Sequence, residues 1–117
     1  MESGDLQERT YQFSLRVIKL VGNLGNAAGE RHVADQLFRA GTSVAANYRA
    51  ARRGKSKKDF IAKLGIVLEE ADECQYWLSI IIDTKMMKDE LVKPLLTEAG
   101  ELTAIFTTSI KSARERA

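Results

Sequence analysis

The sequence predicts an all-α fold: a single domain, residues 1–117, forming an antiparallel up-down-up-down four-helix bundle. Three observations carry that expectation. Apolar residues recur at steps of three and four in four separate stretches. Interruptions are few, with eight glycines and one proline in 117 residues, and no β-branched run of period two occurs. The connections between stretches are short, which sets consecutive helices side by side and antiparallel. A chain of this length supports one core. Its 44% apolar and 29% charged residues belong to a folded protein rather than a disordered one.

The first helix is expected over 5–24, with Phe13, Val17, Leu20, Val21 and Leu24 on one face. The stretch GNLGNAAGE follows, where Gly22, Gly25 and Gly29 are natural terminators. The second helix is expected over 30–53, with Val33, Leu37, Ala40, Val44, Tyr48 and Ala51 forming its stripe. Gly54 stands where a left-handed cap is wanted, and Arg52 and Arg53 fall in the last turn, where cations complement the helix dipole.

The third helix, 57–84, has the clearest pattern. Ser56 caps it, and Asp59 three residues later forms a shortened capping box. Phe60, Leu64, Val67, Ala71, Cys74, Leu78 and Ile81 then make a seam roughly 42 Å long at 1.5 Å per residue. The fourth helix, 88–114, carries Leu91, Leu95, Leu102, Phe106 and Ile110, and Pro94 forces a late start or a kink. Glu98 and Glu101 lie early in it and Lys111, Arg114 and Arg116 late, the favourable order for the dipole.

Composition excludes several classes of function. The N-terminal MESGDLQERT is no secretory signal. FSLRVIKLVGNLG is too short and too charged to span a bilayer. Cys74 is the only cysteine, so no intrachain disulfide can form and a reduced, cytoplasmic setting is expected. The net charge of +2 is uneven. Seven basic residues and one acid, Asp59, lie between Arg49 and Lys63, so that window carries +6 and the rest of the chain −4.

From Gln36 to Ile82 the chain reads QLFRAGTSVAANYRAARRGKSKKDFIAKLGIVLEEADECQYWLSIII. This block resembles the bacterial four-helix bundle proteins related to the 23S rRNA intervening-sequence protein. The matching positions are Arg39, Ala40, Ser43, Val44, Asn47, Ser56, Asp59, Phe60, Lys63, Leu64, Glu69, Ala71, Glu73 and Trp77. The flanking helices match only in length and pattern. The resemblance implies a small bundle that assembles into a homopentameric ring, with no catalytic residues to carry over. A more distant relative, the accessory variability determinant of diversity-generating retroelements, implies a basic pentamer working with nucleic acid. One position departs: relatives often have Glu where Ala50 stands.

The candidate nucleic-acid-binding residues are Arg49, Arg52, Arg53, Lys55, Lys57 and Lys58. Cations on a helix end and the adjoining turn can reach successive phosphates, giving sequence-tolerant, salt-dependent binding. The plainer reading is that two serve the helix dipole and the others solvate a turn. Repetition around a ring would turn a weak patch into a collar. Tyr48 and Phe60 flank the cluster but fall on core seams, so stacking on bases is not expected of them.

Arg39, Ser43 and Asn47 share a face at steps of four, and Glu69 or Glu73 on the next helix would complete a polar clamp. Helix two is crowded with small residues, among them Gly41, Ala46 and Ala50, and Gly65 lies on helix three; close approach of helices compensates a helical glycine. The acidic run EEADE lacks the histidines of a di-iron bundle, and His32 has no Glu three residues before it. No metal or cofactor is expected. His32 and Cys74 form no nucleophile pair, and an enzyme is not expected. Trp77, on the flank of helix three, is the candidate for the oligomer interface.

The function expected is therefore non-enzymatic nucleic-acid binding, RNA before DNA, by a cyclic homo-oligomer. The rival is a protein-interaction scaffold whose basic collar meets an acidic partner protein. A bundle enzyme or metal protein is the third and weaker option.

Overall fold

The computed structural model describes residues 3–116. Within them the chain forms α1 (Ser3–Val21), α2 (Ala28–Arg52), α3 (Lys57–Asp83) and α4 (Asp89–Glu115), and no strand. Long-range pairs fix the relative directions of α1, α2 and α3. Ser14 Oγ donates to Gly41 O at 2.7 Å, and Arg52 donates to Gln7 Oε1 at 2.6 Å, so α1 and α2 run antiparallel. His32 meets Trp77 near one end of the α2–α3 pair and Arg39 meets Glu70 further along, so those helices are antiparallel too. The bundle measures 49 × 21 × 19 Å. The principal packing is α2 on α3 and α3 on α4; α1 lies on α2 and only lightly on α4.

The interior follows the helical periods. On α3, Leu64, Val67, Ala71, Cys74, Leu78 and Ile81 are buried, and Phe60 packs partly buried against them. On α2 every expected position is buried, with Gly41 added. On α1 the stripe is Leu6, Thr10, Phe13, Ser14, Val17 and Leu20; Val21 and Leu24 are only partly buried. Thr10 and Ser14 are tolerated inside because Thr10 Oγ1 donates to Leu6 O at 2.8 Å and Ser14 to Gly41 O. No buried side-chain polar atom among the described residues lacks a partner.

Gly41 explains how α1 comes so near. A Cβ there would stand 2.5 Å from Val17 Cγ1, closer than packed atoms allow. Gly65 has nothing within 4 Å of such a Cβ, so no neighbour in this chain compensates it.

Several expectations are corrected. α1 ends at Val21 rather than at 24, and α2 begins at Ala28 rather than at 30. Glu30 accepts the Ala27 N–H at 3.0 Å and so caps the helix from inside, placing Gly29 within the first turn. Gly54 is not left-handed. A side chain at this glycine would crowd Ala51 O and Asp59 Oδ2, each 3.0 Å from the added Cβ. The residue that does adopt positive φ is Lys85, at 60°, in the turn before α4. α4 starts at Asp89, ahead of Pro94, and continues through it, so the late start does not occur. Val92 takes the buried position and Leu91 is 57% exposed, because α1 barely covers this flank of α4.

Candidate functional site

The basic segment is contiguous in sequence and is built from two helix ends. α2 closes with Arg53 N donating to Ala50 O and Gly54 N to Ala51 O. Two residues later Ser56 is extended, with φ −153° and ψ 166°, and its Oγ accepts the Asp59 N–H at 3.0 Å, which starts α3. The reciprocal half of the capping box is absent. Asp59, one methylene shorter than Glu, turns its carboxylate to Lys63 at 3.3 Å instead.

That ion pair leaves Arg49, Arg52, Arg53, Lys55, Lys57 and Lys58 with no carboxylate partner among the described residues, and all six are exposed. Among them, Arg52 donates a side-chain hydrogen bond to Gln7. An open groove of about 600 Å³ runs between α2 and α3, walled by Arg49, Arg53, Lys55 and Lys63 together with the carboxylate of Asp59. Ala46 and Ala50 form its floor on α2, so two small side chains one turn apart clear room beside two arginines one turn apart. Ala50 is the position at which the resemblance departs, and alanine there keeps a further carboxylate out of the groove. A smaller recess of about 220 Å³, between α1 and α2, is lined by Gln7, Arg49, Arg52 and Arg53. Arg49 and Arg53 therefore stand between the two concavities.

The helix dipoles divide the six cations. Arg49, Arg52 and Arg53 lie at the C-terminal end of α2, where positive charge is favourable. Lys57 and Lys58 occupy the first turn of α3, where it is not. Of the nearby rings, Tyr48 is buried against Phe106, with centroids 5.5 Å apart, and Phe60 is half-buried, whereas Tyr11 is exposed and lines a recess with Arg49. With six exposed cations and no carboxylate paired to them among the described residues, the segment can neutralise phosphates or carboxylates.

The polar clamp is differently composed than expected. Arg39 NH1 donates to Glu70 Oε2 at 3.2 Å and NH2 pairs with Glu73 Oε2, joining α2 to α3. Those carboxylates raise the guanidinium's pKa, chiefly through the hydrogen bond to Glu73. Glu69 is not part of it. At about 100° per residue it lies nearly opposite the α3 core seam, whereas Glu70 lies on the flank facing α2. Asn47 Nδ2 donates to Ser43 O at 2.9 Å within its own helix, so neither crosses to α3 through that bond.

Trp77 extends this group. Its Nε1 donates to Glu73 Oε2 at 3.1 Å, and its ring meets His32 edge-on at 5.7 Å and Tyr76 at 4.9 Å. Cys74 is buried, and burial pushes its thiol up to about 12, with the Glu70 and Glu73 carboxylates adding to the effect. No group of three or more His, Cys, Asp or Glu among the described residues could hold a metal ion. No described helix is long and apolar enough to cross a membrane.

The sequence reading missed Arg9. Its guanidinium donates to both oxygens of Glu98, at 2.7 and 2.8 Å, and to Glu101 at 2.6 Å, tying α1 to the helix it packs on least. Glu98 and Glu101 were visible only as dipole partners, because the pairing spans 89 residues of sequence.

Comparison with known proteins adds family context to this geometry. The family model described as 23S rRNA-intervening sequence protein matches residues 2–108. Among solved structures, a protein with unknown function from the S23 ribosomal protein family of Bacteroides thetaiotaomicron VPI-5482 is similar, with a TM-score of 0.87 and 32% sequence identity. The match covers 95% of this chain and 99% of that one. No curated protein matches the chain.

Proposed function

The chain belongs to the 23S rRNA-intervening sequence protein family, and from that premise we propose that it is a non-enzymatic, cytoplasmic nucleic-acid-binding bundle. Its ligand is RNA before DNA, gripped by the phosphates at the α2–α3 junction. Arg49 and Arg53 line the groove, Arg52 reaches from the α1 side, and Lys55, Lys57 and Lys58 extend the cluster across the turn.

One observation carries this reading above the others. Lys57 and Lys58 sit in the first turn of α3, where positive charge weakens the helix, and no carboxylate among the described residues pairs with them. Cations held against local stability, beside four others that also lack a carboxylate partner among the described residues, fit an external polyanion better than they fit helix capping. The direct test is retention of RNA by the wild-type protein at low salt, lost as salt rises. If RNA is not retained and an acidic protein is captured by the same residues, the scaffold reading replaces this one.

The working assembly in this proposal is the cyclic homopentamer that the resemblance implies, with Trp77 at or near a subunit contact. Supporting it, Tyr11, Leu15 and Ile18 on α1 and Phe38 on α2 are large apolar side chains left exposed. Light scattering should give five copies of the 13.0 kDa chain, about 65 kDa, and Trp77→Ala should shift the mass downward. A 13.0 kDa species throughout the micromolar range would contradict the ring.

A further inference from the structure

At the end of the bundle remote from the α2–α3 junction, α1 and the start of α4 leave an open trough of about 580 Å³. Its base is apolar, formed by the buried side chains Leu20 and Leu95. Met86, Met87 and Leu91 make its sides, and Leu91 is the most exposed large aliphatic side chain described. Arg16, Lys19 and Lys88 stand on its rim, and none of the three has a carboxylate partner among the described residues. Asp89, next in sequence to Lys88, is engaged by Lys85 at 3.7 Å and Lys93 at 3.8 Å, and no described Asp or Glu lines the trough.

We propose that this trough binds a small amphiphilic anion, an apolar tail carrying one carboxylate, sulfate or phosphate head. Tail and head have separate places. The tail lies on Leu20, Leu95 and Leu91, between two methionines whose unbranched thioethers adapt to varied shapes. The head meets Arg16, Lys19 and Lys88. Lys88 is also the N-cap of α4, and that helix start has no side-chain cap, so its positive end adds to the attraction. The volume lies within the range of about 300–1,000 Å³ usual for small-molecule sites. An apolar base with unpaired charge of one sign at its edge selects anions over neutral or cationic amphiphiles of equal length.

Decanoate is a suitable probe, titrated into the intact protein and followed by amide chemical shifts, with decanol and decyltrimethylammonium as arms of equal chain length. Decanoate should saturate one site per chain with a Kd of about 1 mM or tighter, shifting residues around Lys19, Met87 and Leu91. Decanol and the ammonium should bind about tenfold more weakly or not at all. Arg16→Gln with Lys88→Gln should weaken decanoate by about five- to tenfold. Leu91→Ser, at an exposed position that folding does not depend on, should weaken decanoate and decanol alike. The proposal is overturned by no saturation at about 5 mM decanoate, by equal binding of the three probes, or by shifts mapping elsewhere. Because the site shares no residue with the α2–α3 junction, RNA binding can succeed or fail independently of this result.

Discussion

Neutralising Arg52, Arg53, Lys57 and Lys58 together, each to Gln, should collapse the salt dependence of RNA binding while leaving the bundle folded. The magnitude follows from counterion release. If all six cations meet phosphates, the slope of log K against log salt is about −4 for a single strand and about −5 for a duplex, from 0.7 and 0.9 per contact. Raising salt from about 50 to 200 mM then costs the wild-type protein roughly 10³-fold in affinity. With Arg49 and Lys55 alone remaining, the slope falls to about −1.5 and the same step costs roughly tenfold. Stability changes little because the contributions oppose one another. Losing two cations from the end of α2 costs about 0.3–1 kcal/mol each, and losing two from the start of α3 returns a similar amount. The assay is fluorescence anisotropy of a labelled RNA duplex and a single strand across a salt series, with thermal melts as the control for folding. A variant that melts like wild type and keeps a slope of about −4 would refute the assignment of these cations to phosphate contacts.

Three further outcomes follow from the packing. Gly41→Ala should destabilise by about 1–3 kcal/mol in spite of alanine's helix propensity, because its Cβ would meet Val17 at 2.5 Å; chemical denaturation reads the loss. Gly65→Ala, in open space, should stabilise by up to about 1 kcal/mol in the same measurement. Cys74 should resist a disulfide reagent at pH 8 in the native protein and react on unfolding. With its thiol raised from 9.0 to about 12, its share of stability is complete below 9 and disappears as pH climbs toward 12.

The fold was legible because its evidence is local and repeated. The α3 seam alternates steps of three and four across seven residues, and six of them are fully buried with Phe60 partly so. What failed to show in the pattern depends on neighbours. Thr10 and Ser14 look polar, yet their hydroxyls are satisfied by backbone carbonyls and they sit in the core. Leu91 looks like a core residue, yet α1 offers it no cover. Glycine was the natural choice for a left-handed turn, but Lys85 adopts that conformation and Gly54 instead relieves crowding against Asp59. The basic segment could be read because a helix end, a turn and a helix start are continuous in the chain. The groove beside it could not, since it opens only when Ala46 and Ala50 face Lys63 across two packed helices.

The central claim is that the surplus positive charge of residues 49–58 holds RNA. Ultraviolet crosslinking of the complex recovered from cells, followed by mass spectrometry of the RNA-bearing peptides, tests it most directly. The account predicts adducts on peptides spanning Arg49 to Lys58. Recovery of the intact protein without RNA, or adducts confined to α1 and α4, would contradict it.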